Sequence, residues 1–227
     1  MKAFIENPEL LINEFNEMAA IAQKKAFITV GIEIQQEEID VLIDYIKELA
    51  TLKKEFVEKK LENEANLVFT IENSLKVLQY ELEMLVFIKQ DKMAEAWNKL
   101  VDAQVIFGNV VRNYHFETDS LNGYLERLSN YEKLLFPELH FQSTGGIIKK
   151  SKCSICDSEY DRCDHIKGSL YRGEMCCRII TEMELEEVSF VENPANKHCR
   201  VLTIETDGKI IDIMTLRDVS HSDSQNN

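Results

Sequence analysis

The chain has 227 residues, of which 44% are hydrophobic and 29% are charged, as in a folded globular protein that is long enough for two domains. Its formal net charge of −14 disfavours nonspecific binding to a phosphate backbone. The sequence shows no signal peptide and no run of about 18 apolar residues that predicts a membrane-spanning helix. We therefore expect a cytoplasmic protein with no membrane partner.

Five segments in which apolar residues recur three and four positions apart predict an N-terminal multi-helix bundle or helical-hairpin domain. The first follows the capping sequence Asn7-Pro8, the second and third cover about 36–62 and 64–90, the fourth covers about 92–114, and the fifth runs from about Thr118 to Pro137. Long helices of this kind also offer a surface through which a homo-oligomer could form.

The pattern changes after residue 138. Residues 139–152 include the small and polar run 142–146, with two consecutive glycines, and predict a linker. Alternating apolar and polar residues then predict strands at 187–191, 200–205 and 210–214. We therefore predict an α+β fold with a helical domain at 1–138, the linker, a small zinc-stapled β-rich domain at 153–218 and a disordered tail at 219–227.

The most specific chemical signal is Cys153-x2-Cys156, followed after six residues by Cys163-x-His165. Three thiolates and one imidazole within thirteen residues are a complete tetrahedral ligand set for zinc. A set of four protein ligands leaves no open position for water or substrate, which is typical of a structural zinc site. The spacing therefore predicts zinc as the cofactor and these four residues as its ligands.

Spacing alone leaves the fourth ligand open. Cys176 or Cys177 could take the place of His165, which would then be free, whereas His198 and Cys199 are more distant alternatives. All six cysteines lie between residues 153 and 199. Because no export signal accompanies them, we expect reduced thiols and a metal site instead of a disulfide scaffold.

Basic residues around the motif form a candidate patch for phosphate groups or for a protein partner. The patch consists of Lys149, Lys150, Lys152 and Arg162, with Tyr160 and Tyr171 as aromatic groups on which bases could stack. Acidic residues are interleaved with it and reduce the local excess of positive charge. Binding to nucleic acid is therefore the weaker interpretation.

Two motifs cover residues 153–196. The first is C-x2-C…C-x-H-x2-G-x2-Y-x-G-x2-C, which ends at Cys176, and the second is E-x-S-x-V-x2-P-A, which contains Ser189. Together they resemble a segment of some tailed-phage head-maturation, or prohead protease-like, proteins. The resemblance implies a zinc knuckle that caps a small β domain, and it raises the alternative of a serine hydrolase with Ser189 as nucleophile and His165 or His198 as base.

We expect a non-enzymatic zinc-binding protein for recognition or assembly that acts through protein–protein contacts. The resemblance implies a partner that is phage capsid-related or a subunit of an anti-phage defence system. A serine hydrolase that uses Ser189 and a nucleic-acid-binding zinc protein are the alternatives. No dinucleotide-binding glycine motif, P-loop or zincin motif is present to indicate another enzyme class.

Overall fold

The structure is a computed structural model that describes residues 8–113 and 119–220. Within these residues, five helices form the N-terminal part, as the periodicity predicts. They are α1 (Pro8–Lys25), α2 (Ile32–Glu58), α3 (Glu62–Lys89), α4 (Met93–Asn113) and α5 (Asp119–Leu135). The predicted capping residues Asn7 and Thr118 lie outside the described residues. The predicted α+β class, with its helical part first, is confirmed.

Helix α3 is the centre of the helical part and packs against α1, α2 and α4. Its buried residues, such as Leu75, Leu82 and Val86, therefore point in several directions instead of forming one apolar stripe. Trp97 of α4 is buried as well, in an edge-to-face contact with Phe136, the ring centroids lying 5.3 Å apart. Most apolar residues of the helices are thus buried in one continuous core.

The described C-terminal part contains three separate two-stranded antiparallel sheets. The strands are β1 (Phe141–Cys153), which pairs with β4 (Arg178–Val191), β2 (Leu170–Tyr171), which pairs with β3 (Glu174–Met175), and β5 (Thr203–Thr206), which pairs with β6 (Lys209–Asp212). The last pair is closed by Asp207-Gly208 with φ of 51° and 74°, the two-residue hairpin turn that an Asp-Gly sequence favours.

The prediction of a linker at residues 139–152 is wrong, because from Phe141 onwards these residues form β1. The ladder begins with Phe141 opposite Val191 and ends with Cys153 opposite Arg178. Its register shifts between Gly145 and Gly146, so the glycines mark a bulge and not a flexible connection. The predicted strand at 187–191 is likewise only the end of a strand of 14 residues, β4.

We call β1 and β4 the ribbon, and residues 154–177, which connect them, the cysteine lobe. At the base of the ribbon, Phe141 is buried beside Trp97, with ring centroids 6.1 Å apart. At the other end, the cysteine lobe touches the helices, because Gly173 N–H donates to Asn66 Oδ1 at 2.7 Å. Between these attachments, residues 146–150 and 179–188 are all exposed. The ribbon is therefore held at its ends, and its middle has neither face buried.

The end of the chain returns to the helical part. Ile213 and Met214 are buried in the common core, and Val219 N–H donates to Ile210 O at 2.7 Å. The first residues of the predicted disordered tail are thus bound to β6. The rest of that tail, 221–227, lies outside the described residues.

Candidate metal centre

The first half of the centre is a tight turn at the end of β1. Cys153 N–H donates to Ser158 O at 2.9 Å, and Asp157 N–H donates to Cys153 O at the same distance. Asp157 has φ of 56°, a left-handed conformation that aspartate tolerates better than most side chains. Ile155 N–H points at Cys153 Sγ, 3.4 Å away. This turn places the thiols of Cys153 and Cys156 on the same side of the chain.

The second half follows a single turn of 3-10 helix, Tyr160–Arg162. Cys163 Sγ lies 3.5 Å from Cys156 Sγ and 3.1 Å from His165 Nδ1. The backbone N–H of His165 also donates to Cys163 Sγ at 3.2 Å. The two local turns therefore bring their donor atoms together without a contribution from a distant strand.

All four predicted ligands meet in one cluster. The donor atoms of Cys153, Cys156, Cys163 and His165 all lie within 4.8 Å of one another. Cys153 is buried, Cys156 is exposed, and the other two are half-buried. A group of three sulfurs and one imidazole nitrogen at this spacing could hold a metal ion.

Two tyrosine hydroxyls hold the loop that carries His165. Ile166 N–H donates to Tyr171 Oη at 2.9 Å, and Lys167 N–H donates to Tyr160 Oη at 3.2 Å. The rings of His165 and Tyr171 also meet edge to face, with centroids 4.6 Å apart. Both tyrosines, which were predicted as stacking groups for a nucleic acid, serve here to position the loop that carries His165.

Cys176, the alternative fourth ligand, lies beside the cluster. Its Sγ is 3.7 Å from Cys153 Sγ, and the residue is fully buried. It does not belong to the group of four whose donor atoms are all mutually close. Cys177 and Cys199 are exposed. His198 lies against helix α4, with its Nε2 3.1 Å from Asp102 Oδ1.

Close packing makes the thiols compete for ionisation. Burial disfavours the thiolate of Cys153, but hydrogen bonds from backbone N–H groups, among them that of Cys156, outweigh it and lower the pKa to about 7. The backbone N–H of His165 favours the thiolate of Cys163, yet burial and the neighbouring thiols raise its pKa to about 11. Burial, reinforced by Cys153, raises the pKa of Cys176 to about 11. A bound cation would relieve this competition and release protons.

The predicted basic patch is neutralised by carboxylates. The four ion pairs are Lys149–Glu184 at 2.8 Å, Lys150–Glu182 at 2.6 Å, Lys152–Asp157 at 3.1 Å and Arg162–Glu159 at 3.1 Å. The first two pairs cross the ribbon, and the other two lie within or next to the cysteine lobe. Because each cation has an acidic partner, this surface favours a phosphate backbone less than the sequence pattern alone indicates.

Ser189, the predicted nucleophile of the hydrolase alternative, lies on β4 opposite Ser143. His165 belongs to the cysteine–histidine cluster, and His198 contacts Asp102. Within residues 8–113 and 119–220, no hydrogen bond joins Ser189 to a histidine. In this part of the chain, Ser189 therefore has no hydrogen-bonded base of the kind that an activated serine requires.

Several buried polar residues in the helical part, Glu81 among them, escaped prediction from sequence. Glu81 is fully buried and forms an ion pair with Arg127 at 2.6 Å, while Tyr131 Oη donates to it at 2.9 Å and Tyr124 Oη donates as well. Burial raises the pKa of Glu81, and the charge of Arg127 opposes that shift. Tyr124 and Tyr131 recur at helical spacing like core residues, so the pattern could not reveal their polar contacts.

A search of family models, curated proteins and solved structures found no match to this chain. No helix among the described residues is long and apolar enough to cross a membrane. The function is therefore inferred from the cysteine–histidine cluster and from the surfaces that adjoin it.

Proposed function

We propose that this protein is a non-enzymatic zinc-binding protein for recognition or assembly, in which zinc closes the cysteine lobe and the ribbon contacts another protein chain. The observation that carries the proposal is the position of the cluster. Cys153 is both a member of the cluster and the last residue of β1, and Arg178 opposite it begins β4. An ion at this point would join the end of β1 to the two turns of the cysteine lobe, at the end of the ribbon far from Phe141.

Zinc is the ion that the donor set favours. Three thiolates and one imidazole match the ligands of structural zinc sites, and tetrahedral coordination is complete with four of them. Zinc has no redox chemistry of its own, and a closed site offers no position for substrate. These properties support a structural role for the ion and a function that does not depend on catalysis.

The cysteine lobe needs such an ion because it has almost no core of its own. In residues 154–177, all of which the structure describes, Cys176 is the one buried member of the hydrophobic residue types. A segment of this size with so little apolar burial gains its folding free energy from elsewhere, and a structural zinc site supplies about 10–16 kcal/mol of apparent binding free energy.

The surface of the ribbon favours a protein partner over a nucleic acid. Large apolar side chains are exposed along it, namely Ile147, Ile148, Ile179, Ile180, Met183, Leu185, Val188 and Phe190. Contiguous exposed apolar surface is typical of sites that bind protein. The basic residues nearby are already paired with carboxylates. A phage-related or defence-related partner stays a prediction, because it depends on the resemblance alone.

Metal analysis of the purified chain tests the first half of the proposal. We expect one zinc ion per chain in the wild type and its loss in Cys153→Ser. Cys199→Ser is the matched control, because Cys199 is exposed and lies outside the cluster, and it should keep the ion. Cys176→Ser should also keep the ion if His165 is the fourth ligand. A native wild type without metal would contradict the proposal.

Capture of other proteins from a cell extract by the tagged chain tests the second half. We expect binding that is lost after chelation of zinc and is unchanged in Ser189→Ala. A partner that is cleaved by the wild type and left intact by Ser189→Ala would favour the hydrolase instead. Binding that persists without zinc would show that the ion does not support recognition.

A further inference from the structure

The two faces of the ribbon differ in chemistry. In the ladder, Ile147 is opposite Glu184, and the next pair along the strands is Ile148 opposite Met183. Because successive residues of a strand point to opposite faces, these two pairs lie on different faces. Lys149 reaches Glu184 on the first face, which is therefore the charged one.

The other face of the ribbon, here called the apolar face, is almost continuous. Following the register and its shifts from the base to the cysteine lobe places six large residues on it, namely Phe190, Val188, Leu185, Met183, Ile148 and Ile180. Each of them is exposed, from 37% for Ile148 to 75% for Phe190. Phe141, which is buried against the helices, lies on the charged face, so the apolar face is turned away from the helical part at the base.

We expect another layer of protein to pack against the apolar face. A two-stranded sheet is marginally stable in water unless further strands or another layer pack against it. An exposed apolar patch of this size is rare on a monomer. The ribbon is a two-stranded sheet with no layer packed on it, and it also exposes an apolar patch, since residues 146–150 and 179–188 are exposed on both faces.

We propose that the apolar face of the ribbon packs against the same face of a second copy of this chain, forming a two-layer, four-stranded dimer. This inference rests on the proposed function and names the partner chain as another copy of the protein. The sequence predicted that a homo-oligomer could form through the long helices, but their apolar residues are largely buried in one core. We therefore assign self-association to the ribbon instead.

The shape of the apolar face is complementary to itself. Gly146 lies directly opposite Leu185 in the ladder, so a missing side chain and a projecting one are neighbours near the middle of the face. A two-fold axis that lies between the two layers and runs along the strands sets each residue over its own ladder partner in the other copy, so Leu185 of each copy lies over Gly146 of the other. The same axis sets Phe190, the largest side chain, over Gln142 and sets Val188 over the smaller Thr144. A Cβ at Gly146 would lie 2.3 Å from Glu184 O and 2.6 Å from Met183 Cε, so no larger residue fits there, and Leu185 of the second copy would pack on the Met183 methyl that covers this position.

The exposed apolar area supplies about three quarters of what such a dimer requires. At roughly 200 Å² for a large apolar side chain, the exposed fractions of the six residues leave on the order of 600 Å² of apolar surface per copy. A stable interface of standard size buries about 800 Å² per partner, which the polar rim of the face would complete. Glu182 and Glu184 do not oppose the contact, because they lie on the other face, where they pair with lysines.

Sedimentation equilibrium of the zinc-loaded full chain tests this inference. We expect a dimer in the wild type and a dissociation constant at least about tenfold higher in Leu185→Glu, because a charge would be buried in an apolar contact. Ile147→Glu is the matched control, since it adds the same charge to an exposed isoleucine on the opposite face, and it should dimerise like the wild type. Phe190→Glu should weaken the dimer as Leu185→Glu does.

Zinc content and circular dichroism verify that each variant is folded, which is expected because the substituted side chains are exposed in the single chain. A wild type that stays monomeric at about 100 μM, or equal weakening by Leu185→Glu and Ile147→Glu, would overturn the inference. A zinc-loaded monomer would leave the proposed function intact, whereas a native chain without zinc would contradict the proposed function whatever its oligomeric state.

Discussion

The helical part and the ribbon with its cysteine lobe are stabilised in different ways. In the helical part, residues such as Leu82 and Trp97 are buried in a continuous core, so the hydrophobic effect dominates its stability. In the ribbon, the middle of both strands is exposed. The folded conformation of the two strands therefore depends on the hydrogen bonds between them and on the contacts at the two ends of the ribbon. One end is an apolar contact with the core, and the other is a cluster of four residues that could hold a metal ion. Under the proposed function, burial in the helical part and metal ligation in the cysteine lobe do the same structural task in two parts of one chain.

Removal of the metal ion should separate the two parts most clearly. After chelation we expect amide protection in residues 153–177 to fall by at least about 100-fold, because the lobe has little core to replace the metal bonds. The helices should keep their protection, since the apolar core does not include the cluster. Hydrogen exchange by mass spectrometry measures both regions in one sample. Readdition of zinc should restore the protection, and a loss spread evenly over the chain would show that the parts are one cooperative unit.

The stability of the helical part, in contrast, should depend on a buried carboxylate that forms ion pairs with two lysines. Glu72 of α3 is buried between Lys53 at 2.7 Å and Lys76 at 2.5 Å, and although burial opposes it, these ammonium groups lower the pKa of Glu72. A lowered pKa stabilises the folded state above the unfolded value of about 4.3, and this contribution is lost as the pH falls through the folded value. Glu72→Gln should therefore cost about 2–3 kcal/mol at pH 7 and much less near pH 3.

Urea unfolding followed by far-UV circular dichroism measures that change, because the signal comes mainly from the helices. Glu184→Gln on the ribbon is the control: its carboxylate also pairs with a lysine but is 63% exposed, so we expect a change within about 0.5 kcal/mol. Equal effects of the two substitutions would remove the distinction between a buried and an exposed region.

The contact between the two parts should show a smaller effect. Gly173 has φ of 72°, and a Cβ there would lie 2.9 Å from Lys53 Cγ and 3.1 Å from Ala65 O. Gly208 has a similar φ of 74° but open space around it. Both alanine variants incur backbone strain, and Gly173→Ala should cost a further 1–2 kcal/mol, roughly, because the lobe can no longer sit against α2 and α3. Thermal unfolding of the two variants compares them, and equal losses would mean that the lobe is not docked there.

The parts of the fold that depend on neighbouring residues could be predicted from sequence. The helices follow from apolar spacing, and the ligand cluster follows from two short motifs separated by six residues. Strand β1 was missed because its partner β4 is separated from it by the whole cysteine lobe, and because Gly145 and Gly146 resemble a linker. The buried Glu81 was missed for a related reason, since a glutamate in a helix usually faces solvent.

The sequence by itself therefore determined the α+β class, the order of the helices and the four residues that could hold a metal ion. Only the tertiary structure decided that Cys153 closes a long ribbon, that Lys149 and Lys150 are neutralised by Glu184 and Glu182, and that Leu185 faces outward beside Gly146. The physical reason is the distance along the chain over which each contact forms. Helical periodicity and ligand turns are local, whereas strand register, ion pairing across strands and the chemistry of a face depend on residues far apart in sequence.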